Sequence, residues 1–414
     1  MKRKMTIGKH LPEKLAAITA LTMAASTCHA VELQLFGTNV PSVDVHGFAS
    51  QGYIKNTGHN DYLGGDSSGG TIDDREYGIN ASMAYRKLRV GMQFFGQKLG
   101  QYGDDKIKLD WADMDYQATQ WFGLRAGRVK TPHGLYNETL DLDATRVFAF
   151  LPQSVYDARL RDFNSSFDGG MAYGNIELKK AGSLDYRLYG GHIGLSTSSG
   201  ANDYFNNDAP LPNRSFTMGA TFGTSLFWNT PLQGLRAGYS YQGFQNFTAD
   251  RIGGAGTNAL IIPRGTDLYS RHLLSAEYTY DKWVFAAEAG MDLAHYNISL
   301  PAGSGIPGGG PNIQDFKSYY AYASITRSIT DRLKLGAYYS YSDQKLTGIA
   351  AYHFTQGDVA VSARYDFTDY LLTKLELHYM DGSGMLFNTP THPQPVAGRD
   401  NSWAMLVAKV TLSF

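Results

Sequence analysis

The chain has 414 residues, one Cys, 46 Gly, 28 Tyr and a formal net charge of −1. That balance excludes nucleic acid as a partner, which calls for a strong basic excess, and a lone Cys offers no disulfide framework. Beyond residue 30 there is no run of eighteen apolar residues, so the sequence contains no candidate transmembrane helix.

The first thirty residues read as a secretory signal peptide. Lys2, Arg3, Lys4, Lys9 and Lys14 precede a short apolar stretch, Leu15 to Ala25, and Cys28-His29-Ala30 supplies a small-x-small ending with cleavage expected after Ala30. A lipoprotein reading of Cys28 is the alternative, but Thr27 before it fits poorly. Removing five basic residues and one acidic residue takes the net charge from −1 to about −5 and leaves no Cys. The rest, 31–414, is expected to be a single all-β domain.

In chain order, Ser42 to Ile54 is the first amphipathic run. The second, Ile72 to Arg86, sets Tyr77, Ile79, Ala81, Met83 and Tyr85 on one face, and the third sets Leu88, Val90, Met92 and Phe94 likewise. In the fourth, which ends near Thr119, Leu109 and Trp111 compete with Met114 and Tyr116 for the outer face. A fifth carries Phe122, Leu124 and Ala126. After a long interruption the rhythm resumes with runs at 169–179, 184–195, 215–228, 235–247, 268–280, 283–298, 316–329, 333–341, 357–367, 371–380 and 401–414. Sixteen runs result, joined alternately by short turns and by longer Gly/Asn/Asp/Pro loops. An even count and that asymmetry fit a closed antiparallel transmembrane barrel. Closure matters because an open edge in lipid would leave N–H and C=O groups unsatisfied. The last run, Trp403 to Phe414, puts Ala404, Leu406, Ala408, Val410, Leu412 and Phe414 on one face and Val407, Lys409, Thr411 and Ser413 on the other, one suited to lipid and one to a wet lumen.

The interruption, Gly127 to Asp168, is the third long loop. Loops of this length without regular structure are usually functional. It is expected to fold inward over about 130–166 and narrow the pore. With the end of the fifth strand it carries Arg128, Lys130, Glu138, Asp141, Asp143, Arg146, Asp157, Arg159, Arg161 and Asp162.

The Gly127-Arg128-x-x-x-Pro132-x-Gly134-Leu135-Tyr136 run, the signal, the sixteen strands and the terminal Phe together resemble the porin superfamily of Gram-negative bacteria, most of all its phosphate-selective and dicarboxylate-type members. The resemblance covers the mature chain by architecture, but by motif only this segment and the last strand. It implies a homotrimer, an inward third loop and a C-terminal strand ending in Phe414 that the barrel-assembly machinery recognises. Clustered basic residues dominate the lumen of the phosphate-selective members. The charge here is mixed, so phosphate selectivity does not carry over.

Six basic residues, Arg89, Arg125, Arg187, Arg236, Lys334 and Lys374, fall near the start of upward strands and face inward, which predicts a basic ring near the periplasmic mouth. The eleventh strand breaks it, with Val284 in the place and Glu288 and Asp292 further up. Such a ring raises the local anion concentration; the plainer reading is polar residues near an interface. Acidic lumen residues (Asp113, Asp115, Asp185, Glu277, Glu288, Asp292, Asp358, Glu376) lie mostly higher or opposite.

These features point to a water-filled channel for small hydrophilic solutes, mildly anion-preferring, set in outer-membrane lipid and needing no cofactor or metal. A non-conducting structural or adhesive barrel is the alternative. His192 and His272 face outward as candidate lipid-hydrolase histidines, but no nucleophile motif accompanies them, so an enzyme is not expected.

Overall fold

Alternating apolar and polar residues commit this chain to strands, and sixteen of them close on themselves. The computed structural model describes residues 31–33 and 41–414 except 58–59, 61, 64–66, 101, 207–212, 254–259, 301–309, 349–350, 383 and 387–399. The signal segment read from 1–30 lies outside the described residues.

The barrel strands are β1 (Val43–Asn56), β2 (Thr71–Tyr85), β3 (Leu88–Leu99), β4 (Lys108–Thr119), β5 (Phe122–Lys130), β6 (Ser166–Glu177), β7 (Ser183–His192) and β8 (Thr221–Asn229). They continue as β9 (Leu235–Gly253), β10 (Arg264–Tyr280), β11 (Trp283–Leu300), β12 (Gly310–Ser328), β13 (Leu333–Leu346), β14 (Tyr352–Asp366), β15 (Leu371–Gly382) and β16 (Ser402–Ser413). Each pairs antiparallel with the next, and β16 pairs with β1 from Met405↔Asn56 to Ser413↔Phe48. Phe414 completes the seam: its N–H donates to the Gly47 carbonyl (2.9 Å), and its carbonyl accepts the Gly47 N–H (3.1 Å). No strand edge is left to face lipid along this seam. Each of the sixteen expected runs overlaps one of these strands.

Period-two alternation sorts the side chains. Leu88, Val90, Met92 and Phe94 on β3, and Leu375, Leu377 and Tyr379 on β15, are exposed on the outer face. Trp403, Met405, Val407, Lys409 and Thr411 of β16 are buried on the inner one. The ambiguity in β4 has a physical cause. The β3–β4 register shifts between Gln93↔Trp111 and Phe94↔Leu109, which leaves Asp110 as an extra residue. This bulge changes the phase of the alternation. Leu109, Met114 and Tyr116 therefore all lie outward, while Trp111 turns in over Gly91.

The wall is uneven in height. β5 to β8 have 9, 12, 10 and 9 residues, whereas β9 to β12 have 19, 17, 18 and 19. The eighth expected run is interrupted: Asn213–Thr217 pairs separately with the top of β9, and β8 begins at Thr221. At that height Asn246 on β9 adopts φ +49° and has no ladder partner, while Phe244 and Phe247 on either side of it are both buried.

Candidate functional site: the loop between β5 and β6

Two glycines start the loop. Gly127 has φ +127°, and a Cβ there would lie 2.3 Å from the Ala112 carbonyl oxygen. Gly134 has φ +66°, and its Cβ would meet the Glu288 carboxylate at 2.6 Å. Both backbones occupy a region that side chains rarely adopt, which accounts for the spacing of the Gly-Arg-x-x-x-Pro-x-Gly run. Between Lys130 and Ser166 the chain forms short 3-10 turns (Asn137–Thr139, Asp143–Thr145, Ala158–Leu160) and one helical turn, Arg161–Asn164. Asp157 caps the third of these, accepting the Arg159 N–H at 2.9 Å.

Charged side chains hold the loop's two ends together beside β3 and β4. Lys130 lies 2.8 Å from Asp110, the bulge residue, and also pairs with Asp141. Arg161 reaches Asp110 (2.8 Å) and Asp141 (2.6 Å), and its guanidinium sits 3.9 Å over the Phe95 ring. Gln93 donates to both carboxylates. Burial alone would push the Asp141 carboxyl up, but Arg161 and Lys130 hold it well below the usual carboxylate range.

Further along, the main chain from Asp143 to Phe150 is pinned to β14, β15 and β16. The Lys374 ammonium donates to the Asp143 carboxylate (2.8 Å), the Asp143 carbonyl (2.7 Å) and the Phe148 carbonyl (3.0 Å). The Glu376 carboxylate accepts the N–H groups of Ala149 (2.8 Å) and Phe150 (3.1 Å). Arg364 donates to the carbonyls of Ala144 and Arg146, and Ser362 to that of Val147. Behind Glu376, His378 bridges to Asp358 (3.0 Å). Thr411 donates to Asp143 at 2.6 Å, and Lys409 stands 3.8 Å from it while also pairing with Glu76 at 2.9 Å. Burial would raise the Asp143 carboxyl, yet Lys374, Lys409 and Arg146 hold it far down.

A third set of contacts lies on β9 to β13. Glu288 accepts the Leu135 N–H (2.9 Å) and the hydroxyls of Ser275 (2.5 Å), Tyr322 (2.9 Å) and Tyr156. Ser240 accepts the Gly134 N–H, and Ser154 bonds Ala321 and Ser340. Arg271, paired with Asp292, donates to Asn164. Around this corner Phe163, Phe167 and Tyr189 join Phe244, Phe247, Tyr269, Tyr296 and Phe316 in one buried aromatic cluster, with Tyr204 and Phe205 from the short helix Ala201–Asn206 of the next loop. Side chains, not water alone, occupy this part of the interior. The signal for it was available in the sequence: aromatics on the inward parity of the upper halves of β9 to β12.

The residues singled out from the sequence divide into groups. Lys130, Asp141 and Arg161 meet at the clamp, whereas Asp143 and Arg146 (3.5 Å apart) meet Lys374. Asp157 and Arg159 pair with each other under Tyr204. Glu138 reaches Arg187 at 3.4 Å. Arg128 does not join them. Alternation along β5 carries it to the outer face opposite Ala112 and Asp168, where it makes two bonds to Asp168 (2.8 and 2.9 Å). The basic ring is largely neutralised: Arg125 pairs with Asp115, Arg187 with Glu138, Arg236 with Glu277, Lys334 with Asp366 and Lys374 with Asp143. Of these six, Arg89 alone has no carboxylate within ion-pair distance among the described residues. His272 bonds the Tyr239 hydroxyl (2.8 Å), and His192 the Gly219 carbonyl (3.2 Å). Asp110, Gln93, Arg364 and Lys409 are the participants that reading the loop alone misses.

Sixteen antiparallel strands, an apolar exterior, a polar interior and a long loop after the fifth strand make this a transmembrane barrel with the fold of the outer-membrane porins. No family model and no curated protein matches the chain. Among solved structures it is similar to OmpT, an outer membrane protein of Vibrio cholerae (TM-score 0.57, 12% identity, covering 92% of this chain and 100% of that one). It is similar also to the anion-selective porin from Comamonas acidovorans (TM-score 0.52, 11% identity, 90% and 99% covered). The outer membrane channel DcaP of Acinetobacter baumannii gives a TM-score of 0.51 at 11% identity, with 92% and 100% covered.

Proposed function

We propose that this protein is a diffusion channel of a Gram-negative outer membrane, passing small hydrophilic solutes past a constriction formed by the loop between β5 and β6. The observation that carries this reading is the attachment of residues 143–150 to inward-facing side chains of β14 to β16, on the opposite side of the barrel from the loop's origin. A loop fastened at its stem, its middle and its return crosses the lumen and narrows it. The paired state of the basic ring argues for weak ion selectivity, because a neutralised charge adds little to the field in the pore. In this reading residues 1–30 are a cleaved signal, Phe414 ends the strand recognised by the assembly machinery, and the chain works as a homotrimer; OmpT of Vibrio cholerae has been solved in a trimer form. The neighbouring subunit would sit on the low wall of β5 to β8, which has Ala126, Gly170, Ala172 and Gly190 on its outer face beside the exposed Leu124 and Leu188.

The test is planar-bilayer recording of the refolded protein under a salt gradient, beside a variant lacking Asn137 to Asp157. Small steps that grow in the deletion are expected. The same conductance in both would remove the loop from the constriction. Absence of steps from both would favour a non-conducting barrel, a reading that the dense aromatic packing around Phe163 lends some support.

A further inference from the structure

A second segment lies over the loop between β5 and β6. The short helix Ala201–Asn206 sets the Tyr204 ring centre 5.5 Å from the Arg159 guanidinium carbon, and the Phe205 ring centre 5.5 Å from that of Phe163. Gly200, just before it, runs so close to the loop that a Cβ there would stand 2.7 Å from the Arg159 carbonyl oxygen. Three side chains at the long-loop end of the barrel hold this helix. Asn213 donates to the Asn202 side chain (2.8 Å), and Arg251 of β9 and Arg264 of β10 both donate to the Phe205 carbonyl at 3.1 Å.

Two guanidiniums therefore converge on one neutral oxygen, and the nitrogens that reach it are no more than twice that distance apart. Arg264 is buried and Arg251 half-buried, and they stand opposite the buried Ile298 and Ile262 on neighbouring strands. The Nε–H of each is enclosed and meets no acceptor among the described residues. Neither has a described carboxylate within ion-pair distance, since Asp292 is held by Arg271 and Asp250 accepts from Ser215. The other buried cations are built differently: Lys130, Arg159, Arg271, Arg364, Lys374 and Lys409 each pair with a carboxylate. The Tyr296 ring, 3.9 Å from the Arg264 guanidinium, offsets only part of one charge.

A buried cation without a counter-charge is costly, and a like charge beside it adds to the cost. Two adjacent guanidiniums with free Nε–H groups supply what a doubly charged oxyanion requires, two positive charges and donors suited to paired oxygens. We propose that such an anion binds between Arg251 and Arg264 and latches the helix Ala201–Asn206 down over the loop between β5 and β6. Its occupancy governs a lid, because the same two side chains hold the Phe205 carbonyl. Binding and lid closure are both read without current, so failure of the channel reading would leave the latch standing.

Calorimetric titration of the refolded full chain in detergent tests the site, with sodium sulfate as probe and sodium chloride of equal ionic strength as control. Amide hydrogen exchange in the same solutions tests the latch. One sulfate per chain is expected to bind and to slow exchange at 200–206, with the barrel strands unchanged. Acetate, with a single charge, should bind at least about tenfold more weakly, the equivalent of one charge-assisted hydrogen bond. Arg251→Gln/Arg264→Gln should lose both sulfate binding and the sulfate-dependent slowing, and heat-modifiable gel mobility confirms that it is folded. Arg251→Lys/Arg264→Lys keeps the charges without the forked donors, and should fall between wild type and the Gln pair. Equal sulfate binding by wild type and the Gln pair, or acetate bound as tightly as sulfate, would overturn the site. Sulfate binding with unchanged exchange at 200–206 would overturn the latch. Slowing by chloride as great as that by sulfate would make it an effect of ionic strength and overturn both.

Discussion

The Lys374 ammonium lies 2.8 Å from the Asp143 carboxylate, and neither side chain has any solvent exposure. One belongs to the barrel wall and the other to the loop from β5, so this buried contact fixes the loop's position more firmly than any surface pair could. Removing one partner leaves an uncompensated buried charge. Lys374→Met should lower unfolding stability by about 3–5 kcal/mol and raise current noise by freeing residues 143–148. The Lys374→Met/Asp143→Leu double variant should recover much of the stability, because exchanging both members of a buried pair for apolar groups is far milder. Urea titration in detergent micelles reads both. A single variant as stable as wild type would show that the contact contributes nothing.

The pH dependence of the loop follows from Asp141 and Asp143. Both carboxyls are held below their ordinary range, first against burial and then by Arg161 and Lys130 or by Lys374, Lys409 and Arg146. A carboxyl depressed on folding stabilises the folded state fully above its unfolded pKa, about 4, and loses that contribution as pH falls toward the lower folded value. Stability should therefore be insensitive to these groups from pH 8 to about pH 5 and should fall in stronger acid. Asp141→Asn should be less stable at neutral pH and show a shallower acid loss. A parallel acid loss in variant and wild type, measured by denaturant unfolding at each pH, would exclude Asp141 as a source.

The strands were legible because alternation is a local property of the chain: Leu88 to Phe94 and Trp403 to Phe414 announce their faces without any partner in view. The bulge at Asp110 was not, since an extra residue is defined only against the opposing strand, and it appeared as a conflict between Leu109 and Met114. In the loop, the charged residues could be read but their partners could not. Lys374 looked like part of a basic ring because its parity and height are those of Arg236; only the path of residues 143–148 turns it into a clamp. Arg128 misled in the opposite way, since the loop motif drew attention to it while strand parity carried it outside.

Gly134 governs entry into the loop. Its φ of +66° and the proximity of Glu288 and Leu273 to any Cβ leave no room for a side chain. Gly134→Ala should destabilise by at least the 1–2 kcal/mol of a left-handed L-residue and loosen the Leu135–Glu288 hydrogen bond. Faster hydrogen exchange of loop amides near 134–136, with the barrel strands unchanged, is the expected signature. Unaltered exchange would mean that the loop's entry is set elsewhere.

Ion selectivity offers the sharpest separation between paired and unpaired lumen charges. Arg236 is held by Glu277 at 2.9 Å, while Arg89 has no such partner among the described residues. Replacing Arg236 and Glu277 together by Gln removes a neutral pair and leaves the net local charge unchanged. Replacing Arg89 by Gln removes one exposed, unpaired charge at the mouth, beside Asp113 and Asp115, its neighbours across β3–β4. Coulomb interaction in a confined aqueous lumen carries that change into the pore. Arg89→Gln should move the reversal potential in a tenfold KCl gradient toward cation preference by more than Arg236→Gln/Glu277→Gln does. The effect should shrink above about 0.5 M salt, where screening shortens its reach to a few ångströms. Equal shifts from the two variants would mean that ion pairing does not decide which wall charges the permeating ions sense.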